Sequence, residues 1–320
     1  MTGWSAELEL RGAGGEQVSL ARTLRSHGVA SLPPNVVAEG FLQLETVLPD
    51  GAGRAWAVRL RPAAREPATR AVLDVPEGAP APPPEAQGPI VAQLRHALRL
   101  DEDLSGFYAR LAEDPELAWV PAAGAGRLMR APTVFEDVVK TICTTNCAWS
   151  ATERMVGALV RELGTPAEGV AERRAFPTPA QMAAAPEDWY RDVARAGYRG
   201  AYLRELAAWV AEGALDLEAL ADPQLPDDEA AERLLALPGV GPYAMAHVLM
   251  LLGRSRRLVL DSWTRPTYRR LTGRPRVTDK GITRAFARHR EHAGLAFWLF
   301  LTREWVEDDE PAPSPESQLP

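Results

Sequence analysis

Cysteine, lysine and long apolar runs are what this 320-residue chain has least of. Its two cysteines, Cys143 and Cys147, stand four apart with no second pair and no nearby histidine. That excludes the ligand set of a zinc site and of an iron–sulfur cluster, and reduced, partly buried thiols are expected instead. Lysine is confined to Lys140 and Lys280, so chemistry that needs a side-chain amine has two candidates. No run of 18 or more apolar residues occurs, and residues 1–30 lack the basic start and apolar middle of a secretory signal. A membrane segment is therefore not expected, and the expectation is a cytoplasmic protein.

What is present suffices for two domains with full cores. Residues 1–90 read as a small mixed α/β domain. The segments 41–48 and 55–61 alternate, the latter with Trp56, Val58 and Leu60 on one face and Ala57, Arg59 and Arg61 on the other, so both are expected as strands. Residues 71–75 suggest a third strand and 18–27 a short helix. Residues 76–89, rich in Pro, Gly and Ala, read as an extended connection. From 91 to 305 the pattern is helical. Thr133 with Glu136 and Ser150 with Glu153 each match a capping box, which predicts two helices beginning there, joined by the polar link 144–149 that carries Asn146. Helices are also expected over 278–287 and 295–305. The end, 306–320, holds five acids and no base and reads as a disordered acidic tail.

The formal charge of −7 is unevenly spread: residues 230–305 hold 14 basic against 5 acidic residues, a net of +9. Within them lies the most informative stretch, 231–270. Asp227, Asp228 and Glu229 suit a helix N-terminus, and Leu234, Leu235 and Leu237 follow. Pro238, Gly239 and Gly241 allow a tight reversal, and Pro242 suits the first position of a second helix that runs to about Leu252 with Gly253 as its cap. The amides of Gly239, Val240 and Gly241 then face outward at a helix N-terminus, a place that favours a phosphate and lets a nucleic-acid backbone approach without base preference. Arginines follow, and among Trp263, Arg265, Arg269 and Arg270 sits one acid, Asp261. A surface that only held DNA would lose affinity by placing a carboxylate there. Asp261 also suits the N-cap of a helix beginning near Ser262, and the two roles are compatible.

The stretch LPGVG, followed twenty residues later by the aspartate of LVLDSWTR, resembles the helix-hairpin-helix DNA glycosylases. The resemblance spans about 91–305 and implies a mostly α fold, in which the helical glycosylase domains are preceded by a small α/β domain with an antiparallel sheet. It implies Asp261 as the catalytic carboxylate and double-stranded DNA with a damaged base as the partner, bound by a monomer. ICTTN resembles the place where 8-oxoguanine enzymes insert an asparagine into the gap left by the extruded nucleotide, here Asn146. The Gly197-Tyr198-Arg199 hinge implies a wedge at Tyr198 and an opposite-strand contact at Arg199; the bland alternatives are a turn cap for Asn146 and a helix-start tyrosine packed on its neighbour. Bifunctional 8-oxoguanine enzymes carry a lysine where this chain has Tyr243, which implies a monofunctional enzyme. An aromatic residue there resembles 3-methyladenine DNA glycosylase II.

Tyr243 and His247, four apart on one helix face, are candidates to stack on or bond to the base, with Trp263, Phe297 and Trp298 as further pocket residues. His247 could equally be a satisfied structural histidine, and the aromatic run near the C-terminus is core by default. The arginine that reads the opposite cytosine in 8-oxoguanine enzymes corresponds to Ala151. Alkylated purines are therefore expected first and 8-oxoguanine second. Relatives also bind a monovalent cation through hairpin carbonyls, here those of Leu235, Leu237 and Val240; no other cofactor is implied. A non-catalytic protein that finds distorted DNA is the alternative of a different class, and its mark would be loss of the acid.

Overall fold

The computed structural model describes residues 4–38, 40, 42–64 and 68–306. Helices predominate, and the strands gather into one seven-stranded sheet. Its main path runs β1 (Ser5–Glu9), β5 (Arg70–Asp74), β4 (Ala55–Pro62), β3 (Leu44–Pro49) and β2 (Val36–Val37), every neighbouring pair antiparallel. The strands expected over 41–48, 55–61 and 71–75 thus form with ends shifted by a residue or more, residue 41 lying outside the described residues. The expected 18–27 helix is shorter, Leu20–Leu24, followed by a 3-10 turn at Gly28–Ser31.

Alternation along β4 holds on one face only. Trp56, Val58 and Leu60 enter the N-terminal core, but Ala57 on the opposite face is buried as well, among Val47, Ala55, Ala167 and Ala175. The cover comes from far along the chain. A short hairpin, β6 (Pro166–Ala167) and β7 (Val170–Arg174), adds to the sheet where Ala55 pairs with Ala167 in parallel. The helical region therefore completes the sheet of the N-terminal one.

The proline-rich connection is extended only as far as Pro83. From Pro84 the chain is helical to Ala97, with Pro84 in the first turn, where its missing N–H removes no bond. Ala86, Ile90 and Leu94 of this helix pack into the N-terminal core, so a boundary near 90 falls inside an element. A second tie is the buried Arg127, whose guanidinium meets the Glu16 carboxylate and the carbonyls of Arg99 and Glu102.

The helical region is organised on Val134–Thr144, which buries Val138, Val139 and Ile142 completely. Each such side chain contributes about 1.5–3 kcal/mol by leaving water. Thr133 caps this helix through the Glu136 N–H at 3.2 Å, but the Glu136 side chain turns to Lys140, 2.7 Å away, rather than back to the cap. The expected Ser150–Glu153 box does not form. The helix starts at Trp149 with Ala148 in the cap position, two residues before Ser150, and Glu153 accepts from the Trp149 indole at 2.9 Å. At the C-terminal side, Asp279–Phe286 and Ala293–Thr302 occupy the expected positions, with Thr278 as the cap of the former. Of the acidic segment expected over 306–320, all but its first residue lies outside the described residues. No helix among the described residues is long and apolar enough to cross a membrane.

Candidate active site and DNA-binding face

The hairpin forms as its residues dictate. Asp227–Leu235 and Pro242–Leu251 are its helices, with three acids in the first turn of one and Pro242 opening the other. Gly239 turns with φ of 80°, in the left-handed region that favours glycine, whereas Gly241 has φ of −100° and nothing within 4 Å of where a Cβ would stand. Gly241 therefore needs no special backbone conformation; its bare face leaves room for a close approach from outside.

Asp261 lies in the turn before the Thr264–Thr272 helix. Its Oδ1 accepts from the N–H groups of Trp263 at 2.9 Å and Thr264 at 2.7 Å, and the Thr264 hydroxyl accepts from the Asp261 N–H at 2.8 Å. The carboxylate thus closes a reciprocal box at a helix start, a favourable place for negative charge. Its Oδ2 accepts no hydrogen bond among the described residues, and the residue is only half-buried. One oxygen fixes the orientation and the other is left without a protein donor among the described residues.

Tyr243, on the second hairpin helix, lies near enough to feel this charge. Burial is the main cause that pushes its hydroxyl up to about 12, and the Asp261 carboxylate adds to it against a hydrogen bond shared with the Thr144 hydroxyl. Beyond Tyr243 the rings continue inward. Tyr243 and His247 have centroids 6.0 Å apart, His247 and Trp298 6.4 Å, Trp298 and Trp263 5.6 Å, and Trp305 lies 5.6 Å from Trp263. Tyr243, His247, Trp263 and Trp298 are therefore one cluster. Phe297 is not in it. That side chain is fully buried between Tyr268 and Phe286, one residue from Trp298 and so on another side of the same helix, and it serves the core.

Asn146 has φ of 49°, a conformation asparagine adopts more readily than most residues, and its amide donates to the Tyr198 hydroxyl at 3.3 Å. Tyr198 is 55% exposed. Arg199 does not reach outward as expected. Its buried guanidinium donates to the Thr145 carbonyl, Nε at 3.0 Å, and lies against the Tyr198 ring. Arg199 thereby fixes the Asn146 link and Tyr198 from beneath, because an interior carbonyl offers a buried cation the acceptor it needs.

Tyr202 belongs to no sequence motif, although its i+4 spacing from Tyr198 places both on one helix face. It stands 6.0 Å from Tyr198 and packs on Gly239, so the hinge and the hairpin touch. His27 comes from the N-terminal region, with nothing in its local sequence to mark it, and its ring lies 5.7 Å from that of His247. Asn146, Tyr198, Tyr202 and the hairpin form one outer face.

The cations divide. Arg265 is held by both oxygens of Asp279, at 2.8 and 3.0 Å, and Arg254 and Arg257 pair with Asp227 and Asp228. Arg269 is exposed and, like Arg256, Arg274, Arg276, Lys280 and Arg284, has no acidic partner among the described residues. These are the charges free to meet phosphate. Lys140 is buried against Glu136 and the Leu32 carbonyl, remote in role from Asp261. The larger clefts lie away from Asp261, one of about 460 Å³ between Asp227 and Leu260 on the flank of the hairpin helices.

Neither a protein-family model nor a curated protein matches the chain. Solved structures do match its fold. A 3-methyladenine DNA-glycosylase from Archaeoglobus fulgidus superposes with a TM-score of 0.70 at 21% identity, covering 94% of this chain and 99% of the other. An 8-oxoguanine glycosylase/lyase from Clostridium acetobutylicum in its apo form gives 0.70 at 18%, covering 93% and 95%. MBOgg1, in complex with a low-affinity DNA ligand, gives 0.72 at 17%, covering 96% and 98%. Over nearly its whole length, N-terminal sheet included, the chain has the fold of these solved glycosylases.

Proposed function

We propose that the protein is a monofunctional DNA glycosylase, acting as a monomer, that extrudes a damaged purine from duplex DNA and hydrolyses its N-glycosidic bond, with alkylated purines preferred. The observation that carries this reading is the arrangement of Asp261: Oδ1 is tied to two backbone amides, Oδ2 accepts no hydrogen bond among the described residues, and the carboxylate is close enough to act electrostatically on Tyr243 of the aromatic cluster. The structural likeness to both a 3-methyladenine and an 8-oxoguanine glycosylase supports the class.

Breaking the bond between base and deoxyribose develops positive charge on the sugar, which a fixed carboxylate stabilises while orienting or deprotonating water. The base leaves with the electron pair of its glycosidic bond, the water oxygen bonds to the anomeric carbon, and the water proton passes to Asp261 or solvent. No second carboxylate is needed where the leaving base is already cationic, as alkylated purines are. Extrusion requires a phosphate grip, a wedge and a pocket. The hairpin amides of Gly239, Val240 and Gly241 with Arg269 supply the grip, Tyr198 and Asn146 the wedge and gap-filler, and Tyr243, His247, Trp263 and Trp298 the pocket.

Tyr243 stands where an attacking amine would be required for strand cleavage, and a phenol, which has no amine nitrogen, forms no Schiff base. The test incubates the protein with duplexes carrying one lesion each, with and without hot alkali. Release of base with strand breaks only after alkali is expected; breaks before alkali, or a borohydride-trapped adduct, would refute the monofunctional reading.

A monovalent cation at the hairpin is part of the proposal. Leu235 ends its helix, so its carbonyl lacks an intrahelical donor, and with the carbonyls of Leu237 and Val240 it offers the oxygen ligands such an ion takes. The ion would offset the negative end of the helix and draw a phosphate. Equal duplex affinity in potassium and in a bulky organic cation at matched ionic strength would remove it.

A further inference from the structure

His27 and His247 meet edge to face beneath the aromatic cluster, with ring centroids 5.7 Å apart. Each is 4% exposed. His27 Nε2 lies 2.6 Å from the Met129 carbonyl oxygen, which can only accept, so this nitrogen carries the proton and Nδ1 is a bare acceptor. Among the described residues no protein group bonds His27 Nδ1 or either ring nitrogen of His247. Three unpaired nitrogens at one buried contact are an arrangement proteins seldom keep without a use. Burial holds both rings neutral, at about 3 for His27 and about 4 for His247. A neutral His247 has one N–H and one lone pair. The two imidazoles together thus present two acceptors and one donor.

Their position gives that set a purpose. His247 lies one helical turn below Tyr243, whose hydroxyl feels the Asp261 carboxylate, and the half-buried Tyr243 and Trp263 form the outer wall of the same cluster. Tyr243 and Trp263 are the more exposed rings of this cluster and the two imidazoles lie deepest in it. The pairing edge of guanine carries one acceptor, O6, and two donors, N1–H and the 2-amino group, which answers two acceptors and one donor. The edge of adenine carries one donor and one acceptor and would leave an imidazole lone pair buried without a partner.

We propose that the His27–His247 pair reads the hydrogen-bonding edge of the extruded base and selects guanine-derived over adenine-derived lesions, with the N-terminal region supplying half of the reader. This rests on the glycosylase reading above and sharpens its substrate class.

The test compares wild type, His27→Gln and His247→Phe in single-turnover excision of 7-methylguanine, 8-oxoguanine and 3-methyladenine. Affinity for a duplex holding a tetrahydrofuran abasic analogue and the melting temperature are measured alongside. The glutamine keeps a donor for the Met129 carbonyl but offers no acceptor at the place of Nδ1; the phenylalanine keeps the ring and removes both nitrogens. Each variant should lose tenfold or more of its rate on guanine-derived bases relative to 3-methyladenine, with affinity for the abasic duplex unchanged. Losses equal across the three bases overturn the proposal. So do unchanged rates with a lowered melting temperature, which would mark the pair as a structural site bridged by water. Wild-type protein that releases no base from any duplex overturns the glycosylase reading and this proposal together, whereas wild-type release with indifferent variants overturns this proposal alone.

Discussion

The backbone of Gly239 lies against the ring of Tyr202, so closely that a Cβ on Gly239 would fall 2.9 Å from Tyr202 Cδ2. Steric space and φ of 80° both require glycine there. Gly239→Ala should cost about 1–3 kcal/mol of stability, by analogy with other residues held in the left-handed region. Gly241→Ala, with an ordinary φ and open space, should fold normally yet bind duplex DNA less tightly, because the added methyl stands where a phosphate would approach. Thermal melts and duplex titrations on both variants check the pair; equal melting loss for the two would contradict it.

Asp261 caps a helix start and, in the proposed reaction, also carries the chemistry, and substitution can separate the two. Asparagine keeps an oxygen to accept from the Trp263 and Thr264 amides. Asp261→Asn should therefore melt within a few degrees of wild type while excision falls by about 10²–10⁴-fold, the range for a lost general base. Asp261→Ala should lose the cap as well, about 1 kcal/mol. Excision by the asparagine variant at the native rate would take Asp261 out of the reaction.

Arg199 is expected to act on DNA only through what it holds. With its guanidinium on the half-buried Thr145 carbonyl, Arg199→Ala removes that bond, costing about 1 kcal/mol. Duplex affinity should fall through a loosened Asn146 link, but the salt dependence of binding should not change, since no phosphate contact is lost. A reduced salt slope would place Arg199 on the strand instead.

His27 and His247 also predict a pH dependence of stability. Their folded pKa values, about 3 and about 4, lie below the unfolded value of 6.5. Below pH 6.5 the unfolded chain takes up protons that the folded one refuses, so the stability is complete above pH 6.5 and is lost as pH falls towards 4. The loss at pH 4 is of order 3 kcal/mol per histidine, from about 1.4 kcal/mol per pH unit. Denaturant titrations at pH 4.5 and 7.5 should show a smaller difference for His247→Phe than for wild type; an unaltered difference would mean that His247 is not buried neutral.

The hairpin and the acid were legible in the sequence because their signals are local. Pro238 to Pro242 admits few backbone paths, and an aspartate two residues before Trp263 stands out in a basic stretch. Helix positions in the second half were legible for the same reason, through capping residues and apolar spacing. What escaped was set by distant contacts. Residues 166–174 have no strong strand pattern and become strands because β4 offers them an unpaired stretch at Ala55. Arg199 reads as a DNA contact beside an exposed tyrosine, and only the fold puts an unpaired carbonyl 54 residues away within its reach. Phe297 and Trp298 are neighbours in sequence and face different surroundings, a division that depends on which helix arrives on each side. His27 acquires its partner from a residue 220 positions later, and no window of sequence contains both.

The parallel rung between Ala55 and Ala167 means that the two regions cannot be separated along the chain without tearing a ladder. A fragment beginning near residue 90 would lose the first turns of the Pro84–Ala97 helix, leave the 166–174 hairpin without a neighbour and remove the carboxylate that neutralises Arg127. Such a fragment should aggregate rather than work slowly. The first third of the molecule is built into the rest, and on the proposed function damage to it would be felt as far away as Asp261.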